Sequence, residues 1–234
     1  TSDTVTVSGV TGGTQWDNAD RIWGGVESTY NNLGNNGDSI FGMRFLGVTV
    51  PAGSTITAAT VGFHSNNNLA GTTVNLKIDG ERNTTPAIFS TLSDFNARIH
   101  TTASTAWNNV GAWSGGNWYA SPDISSVIQE IVNLNGWSTG NNLALFVLDN
   151  GSTAGAVRQS NMMYDNAGVA PQLNITYRGA SLPNIWKTAL TLTAKDVGNI
   201  IFNGELSVGR KKSSIGSLAA QGDFYYDPVE KYLY

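Results

Sequence analysis

The chain has 234 residues and a net charge of −4; only 13% of its residues are charged, while 40% are hydrophobic and 10% aromatic. The aromatic content is too rich for a disordered chain, no apolar run approaches the roughly 20 residues that cross a bilayer, and the acidic balance lacks the basic stripe of a nucleic-acid binder. The absence of cysteine excludes a disulfide framework, a thiolate zinc site and a cysteine nucleophile.

Asn, Thr, Ser and Gly take the place of charge. These residues hydrogen-bond without long-range fields, which suits sugars and suits rigid extracellular or virion parts. No signal peptide is visible and the first residue is Thr, which reads as a mature or trimmed product.

Taken in chain order, strand signals dominate. Thr4–Val7 alternates at period two, and the run from Phe41 to Val50 closes at Pro51-Ala52-Gly53. A strand follows from Ser54 to Phe63, with Ile56, Ala59, Val61 and Phe63 as its apolar set, and Asn66-Asn67-Asn68 is a turn. Thr73–Ile78 places Val74, Leu76 and Ile78 on one face. Asp79-Gly80-Glu81-Arg82 reads as a strand-end turn with a surface ion pair.

One helix is expected from Ile124 to Leu134. Asp123 serves as its N-cap, Asn135-Gly136 as its stop, and Ile124, Val127, Ile128, Ile131 and Val132 form one apolar stripe. Leu143–Leu148 is a continuous apolar run, as in a buried central strand, and Leu173–Tyr177 closes the set. Short strands between Gly, Asn and Pro turns predict an all-β antiparallel sandwich, with Leu145 and Val147 sharing the core of Val74, Leu76 and Ile78.

The domain boundary is expected at residues 178/179. Arg178–Pro183 reads as a linker. Residues 179–234 then form a small β-rich extension, with segments at Leu190–Leu192, Asn199–Phe202, Asp223–Tyr226 and Lys231–Tyr234. About 50 residues is near the lower limit for an independent core, so this extension is expected to open a larger downstream domain. Arg210-Lys211-Lys212, the only basic cluster, reads as a solvated hairpin tip.

Aromatic side chains are the first candidates for ligand contact, because a sugar ring presents an apolar C–H face that stacks on Trp or Tyr. Trp107, Trp113 and Trp137 flank the helix and its neighbouring strands and read as core. Trp16, Trp23 and Tyr30 lie in a polar, glycine-rich stretch, and Trp118 and Tyr119 follow the loop Ser114–Asn117. These five are the candidate ligand-binding residues, since loops on a rigid sandwich commonly carry binding.

Asp17 and Asp20 form a small oxygen-rich cluster that could contribute to a structural Ca²⁺ site. Such a site takes about six to eight oxygens, and Asx turns are the simpler reading. No other cofactor is required. His64 and His100 lie outside any metal-ligand spacing, and no G-x-S-x-G, P-loop or dinucleotide fingerprint is present, so no catalytic constellation is recognised and the chain does not read as an enzyme.

Several ordered segments carry a family resemblance. GMRFLGVTVPAGSTITAATVGF (Gly42 to Phe63), TTASTAWNNVGAW (Thr101 to Trp113), SPDISSVIQEIVNLNGWSTGNNLALFV (Ser121 to Val147) and APQLNITY (Ala170 to Tyr177) resemble a bacterial carbohydrate-binding-like module. That module is found beside alginate lyases, in disaggregatase-related proteins and in phage virion proteins. The resemblance spans roughly residues 1–178 and implies a jelly-roll sandwich. Ile185 to Tyr234 resembles the segment that leads into parallel β-helix domains of secreted polysaccharide-active proteins and phage tail spikes.

Together these readings give two expectations. The first is a non-catalytic carbohydrate-binding or adhesion module of a larger secreted modular protein, with a polysaccharide or cell-surface glycan as partner. The second is a virion structural protein (decoration, fibre or tail-spike base) whose partners are its own copies or neighbouring subunits.

Overall fold

The computed structural model describes residues 2–8, 18–22, 25–27, 32–35, 40–161 and 167–179, with side chains from residue 32 onward, and the backbone of five short strand pieces beyond them. The chain divides into two compact units, Thr1–Ala180 and Ser181–Tyr234.

The first unit is an antiparallel β-sandwich. Its strands are β1 (Ser2–Ser8), β2 (Asn18–Ile22), β3 (Gly25–Glu27), β4 (Asn32–Gly34), β5 (Ile40–Val48), β6 (Thr55–His64), β7 (Leu76–Gly80), β8 (Thr105–Trp107), β9 (Trp118–Ala120), β10 (Asn141–Asp149), β11 (Val157–Gln159) and β12 (Gln172–Arg178). One sheet has the order β1-β12-β6-β9 and the other β3-β2-β5-β10-β7-β8, while β4 and β11 pair separately.

The inner faces follow the period-two pattern. Ile56, Ala59, Val61 and Phe63 of β6 and Leu173, Ile175 and Tyr177 of β12 meet Phe41, Met43, Phe45, Leu76, Ile78, Leu145 and Val147 of the opposite sheet in one core. Val74, just before β7, joins them. Burying each such side chain contributes about 1.5–3 kcal/mol, offset by the entropy of ordering it.

The helix α2 (Ser125–Val132) closes one end, with Val127, Ile128, Ile131 and Val132 buried. By backbone geometry its N-cap is Ile124, which has no side-chain acceptor to offer. Asp123 stands one residue earlier and still accepts from the Ser125 N–H (3.2 Å) and hydroxyl (2.7 Å). Trp137 is 5% exposed and its indole N–H donates to the Val50 carbonyl at 3.0 Å.

Strand β10 is buried on both faces, because the segment after β7 folds back over the outer face of the six-stranded sheet. The sequence pattern gives no helix there, yet Leu92–Ala97 forms a second one, α1, capped by the Thr91 hydroxyl. Phe89 and Phe95 pack on Ala144 and Phe146 in a second cluster. A Cβ on Gly42 would stand 2.8 Å from the Phe89 ring, so the strand must be bare there for the ring to seat.

The turn at Asp79–Arg82 is therefore not a surface ion pair. Asp79 and Glu81 are buried. Arg98 bonds Glu81 and Asp94 at 2.8 Å each and lies over the Phe89 ring at 4.1 Å. His100 Nδ1 is 2.7 Å from Asp79 Oδ1. These buried charges are compensated in pairs, as burial demands.

The second unit is described at β13 (Thr188–Ala189), β14 (Arg210–Lys211), β15 (Asp223–Phe224), β16 (Tyr226–Asp227) and β17 (Tyr232–Leu233). They form an antiparallel β13-β17-β16 sheet and a parallel β14-β15 pair. Arg210 and Lys211 thus sit in a parallel pair with Asp223 and Phe224 rather than at a hairpin tip. The expected strands at Leu190–Leu192 and Asn199–Phe202 lie outside the described residues. Among the described residues no helix is long and apolar enough to cross a membrane.

Two predictions follow from the closed end. Trp137→Ala should lower unfolding free energy by about 3–5 kcal/mol, read by chemical denaturation; a loss near zero would mean that the ring is not part of the core. The second concerns acid. Glu130 is held below the ordinary carboxylate range chiefly by the Ala103 N–H, which outweighs desolvation, with help from Thr102 and Arg82. Partial burial pushes Asp123 up, but bonds from the Ser125 hydroxyl and the Ala59 and Ser125 N–H groups outweigh it and hold it low. Lowered folded values give stability that is present above the unfolded value, about 4, and lost as pH falls through the folded one. Melting temperature should drop below about pH 4, and Glu130→Gln should flatten that drop; an unchanged acid limb would contradict the assignment.

Candidate functional site

Strand β9 has only three residues and pairs with the last three of β6, as Gly62↔Ala120, Phe63↔Tyr119 and His64↔Trp118. Alternation sends its two aromatics to opposite faces. Tyr119 turns inward, stacks on Trp113 at 4.8 Å with an interplanar angle of 5°, and accepts the Ser114 N–H on its hydroxyl at 2.7 Å. It is part of the core packing rather than a free ligand platform. Trp113, stacked beneath it, is itself buried.

Trp118 turns outward and is 43% exposed, a large apolar surface left in water. Its ring leans over Gly62, where a Cβ would sit 3.5 Å from Cε3. His64 meets it edge-on, with ring centroids 5.1 Å apart and planes at 69°. His64 is half-buried and its Nδ1 is 3.1 Å from the Asn161 amide nitrogen.

The loops beneath Trp118 are rich in amides that bind one another. The Ser65 N–H donates to the Asn117 carbonyl and the Asn66 N–H to that of Gln159. Gln159 accepts from the Asn67 amide and donates to Asn32. The Gly115 N–H donates to the Asn68 side chain at 2.8 Å. A stretch that reads from sequence as sugar-binding polarity is largely occupied in fixing its own loops.

Arg158 anchors this end. It is 2% exposed, and its guanidinium donates to four backbone carbonyls: Gly111 (2.7 Å), Val157 (2.9 Å), Val110 (2.9 Å) and Thr72 (3.2 Å). Desolvation weakens its hold on the proton, yet guanidinium remains charged at ordinary pH. The planar fork gathers two chain segments, at Thr72 and at Val110 and Gly111, around β11, and the residues that follow Arg158, Gln159 to Asn161, reach the Trp118 loops.

Of the other candidates, Trp16, Asp17, Trp23 and Tyr30 lie outside the described residues. Asp20 is described through its backbone, on β2 opposite Phe41 and Glu27. Among the described residues no three His, Asp or Glu side chains gather as a metal site would require. Sequence spacing gives His64 no metal role and does not single out Gly62. Alternation along Thr60-Val61-Gly62-Phe63-His64 does put them on the outer face, but only strand pairing brings Trp118 beside them. No protein-family model matches the chain, and no curated protein does.

The described contacts predict that Arg158→Met loses at least about 3 kcal/mol, since up to four buried carbonyls lose their donor at about 1–3 kcal/mol each before relaxation. Arg158→Lys, which cannot reproduce the fork, should recover little. Equilibrium urea unfolding checks both, and a stable Met variant would show that water serves these carbonyls equally well.

Proposed function

We propose that the chain is a non-catalytic carbohydrate-binding module of an extracellular, modular protein, with the glycan stacking on Trp118. The observation that carries this reading is the indole itself. It is held at a defined angle by Gly62 and His64 and left 43% exposed on an otherwise polar surface. A rigid, exposed ring beside hydroxyl and amide groups offers a sugar both an apolar face and hydrogen bonds.

Binding rather than catalysis is supported by what the described carboxylates do. Asp123 and Glu130 accept backbone N–H groups, Glu81 and Asp94 neutralise Arg98, and Asp79 holds His100. Each has a structural partner. The low charge and the Asn, Thr, Ser and Gly surface fit a neutral, hydroxyl-rich partner outside the cell.

A glycan array with the full chain tests the reading. Trp118→Ala should weaken any glycan bound by at least about thirtyfold, as loss of a central aromatic contact does, and leave the melting temperature within a degree or two. Binding that survives Trp118→Ala unchanged would overturn it.

A further inference from the structure

The outer face of the four-stranded sheet extends the Trp118 site, and its chemistry narrows the ligand. On β12 the inward residues are Leu173, Ile175 and Tyr177, so Gln172, Asn174 and Thr176 point outward. Residues directly opposite in an antiparallel pair share a face. Gly62 is opposite Gln172 and Thr60 opposite Asn174, while Trp118 is opposite His64. Trp118, Gly62 and Gln172 therefore lie on three successive strands of one surface. The rows continue onto β1, where Ser8 is opposite Gln172 and Thr6 opposite Asn174.

Two features of this surface bear on what it can hold. The first is relief. Gly62 has no side chain, so the Trp118 ring lies over the strand there, where a Cβ would stand 3.5 Å from its Cε3, and the Gln172 position lies on the next strand beyond it. Strand spacing of about 4.8 Å puts β9 and β12 about 10 Å apart and β9 and β1 about 14 Å apart. That is a path for several sugar rings, not a pocket for one.

The second is charge. Thr60, Gly62, Gln172, Asn174 and Thr176 are all uncharged, and His64 bonds to the Asn161 amide. The first formal charge along β12 is Arg178, opposite Thr55. It stands six residues from Gln172, about 20 Å along the strand. The other sheet differs. Its outer side carries Lys77 and Asp79 as an ion pair, with His100 bonded to Asp79.

We infer that the ligand is an extended, uncharged polysaccharide laid across the strands, from Trp118 over Gly62 to Gln172 and towards β1. This rests on the reading that Trp118 stacks a sugar. One ring of the chain stacks on the indole. Hydroxyls of the next rings meet the amide of Gln172 and the hydroxyl of Thr60. A polyuronate chain would bring a carboxylate per residue to a stretch where, among the described residues, no Lys or Arg stands to receive it, and desolvating unpaired charge opposes binding.

Affinity gel electrophoresis of the full chain tests this. The neutral probes are galactomannan, mixed-linkage β-glucan and dextran, and the acidic ones alginate and polygalacturonate. The expected result is retardation by at least one neutral polymer and by neither polyuronate. Trp118→Ala should abolish it and Gln172→Ala weaken it about tenfold, the worth of one lost hydrogen bond, with both variants melting like the parent. Affinity should also rise with oligosaccharide length up to about three sugars and then level off, as a path of roughly 14 Å requires. Retardation by polyuronates alone, abolished by Trp118→Ala, would overturn the uncharged ligand and keep the glycan module. Neutral binding indifferent to both Gln172→Ala and chain length would overturn the path across the strands. Retardation by no polymer, or none that Trp118→Ala affects, would overturn the glycan reading and this inference with it.

Discussion

The unpaired edge of β6 is the constraint around which the site is built. Strand β9 covers only Gly62 to His64, so the N–H groups of Ile56, Ala59 and Val61 face no strand. Side chains receive them instead. Gln129 accepts from Ile56 at 2.8 Å, Asp123 from Ala59 at 2.8 Å and the Ser121 hydroxyl from Val61 at 2.9 Å. An open edge is a template for unwanted pairing, and an unsatisfied N–H costs about 1–3 kcal/mol if buried. Covering the edge with residues 121–129 solves both. It also fixes where α2 begins, because the Ile124 N–H donates to the Ala59 carbonyl at 2.8 Å. The helix stripe is then in register with the core, and β9 is held at the only length the edge still has room for.

Trp118 inherits its position from that arrangement. A missing β9 would leave Tyr119 without the stack on Trp113. On the far side, Arg158 draws Thr72, Val110 and Gly111 together with β11. Its partners are carbonyl dipoles alone, which suits a cation that must hold several loops rather than one acid. The rigid part of the site is thus supplied from two directions, by side chains that seal a strand edge and by a guanidinium that gathers loops.

The sandwich was legible because each strand advertises one buried face. Val74, Leu76, Ile78, Leu145 and Val147 share a core for the reason that their spacing suggests, and the helix stripe is long enough to fix its period. The boundaries were less legible. Asp123 has the composition of an N-cap, yet its oxygen is shared between the helix and a β6 N–H, so the helix starts later. Residues 82–101 carried no periodic signal. Their order comes from Arg98 and the phenylalanine cluster, contacts distant from any local pattern. Tyr119 and Trp118 are adjacent in sequence and opposite in role. Only the pairing of β9 with β6 decides which of them faces water.

The two outer faces of the sandwich have been resolved in opposite ways. On the six-stranded sheet, Phe146 and Ala144 are apolar and would be exposed, so a folded-back segment covers them, held by Arg98 and its two carboxylates. On the four-stranded sheet the outward positions of β6 and β12 are already polar and need no cover. The indole of Trp118 covers Gly62 and meets His64 edge-on, which accounts for the part of it that is buried. The remaining 43% lies in water, and that surface is what a stacked sugar ring would cover.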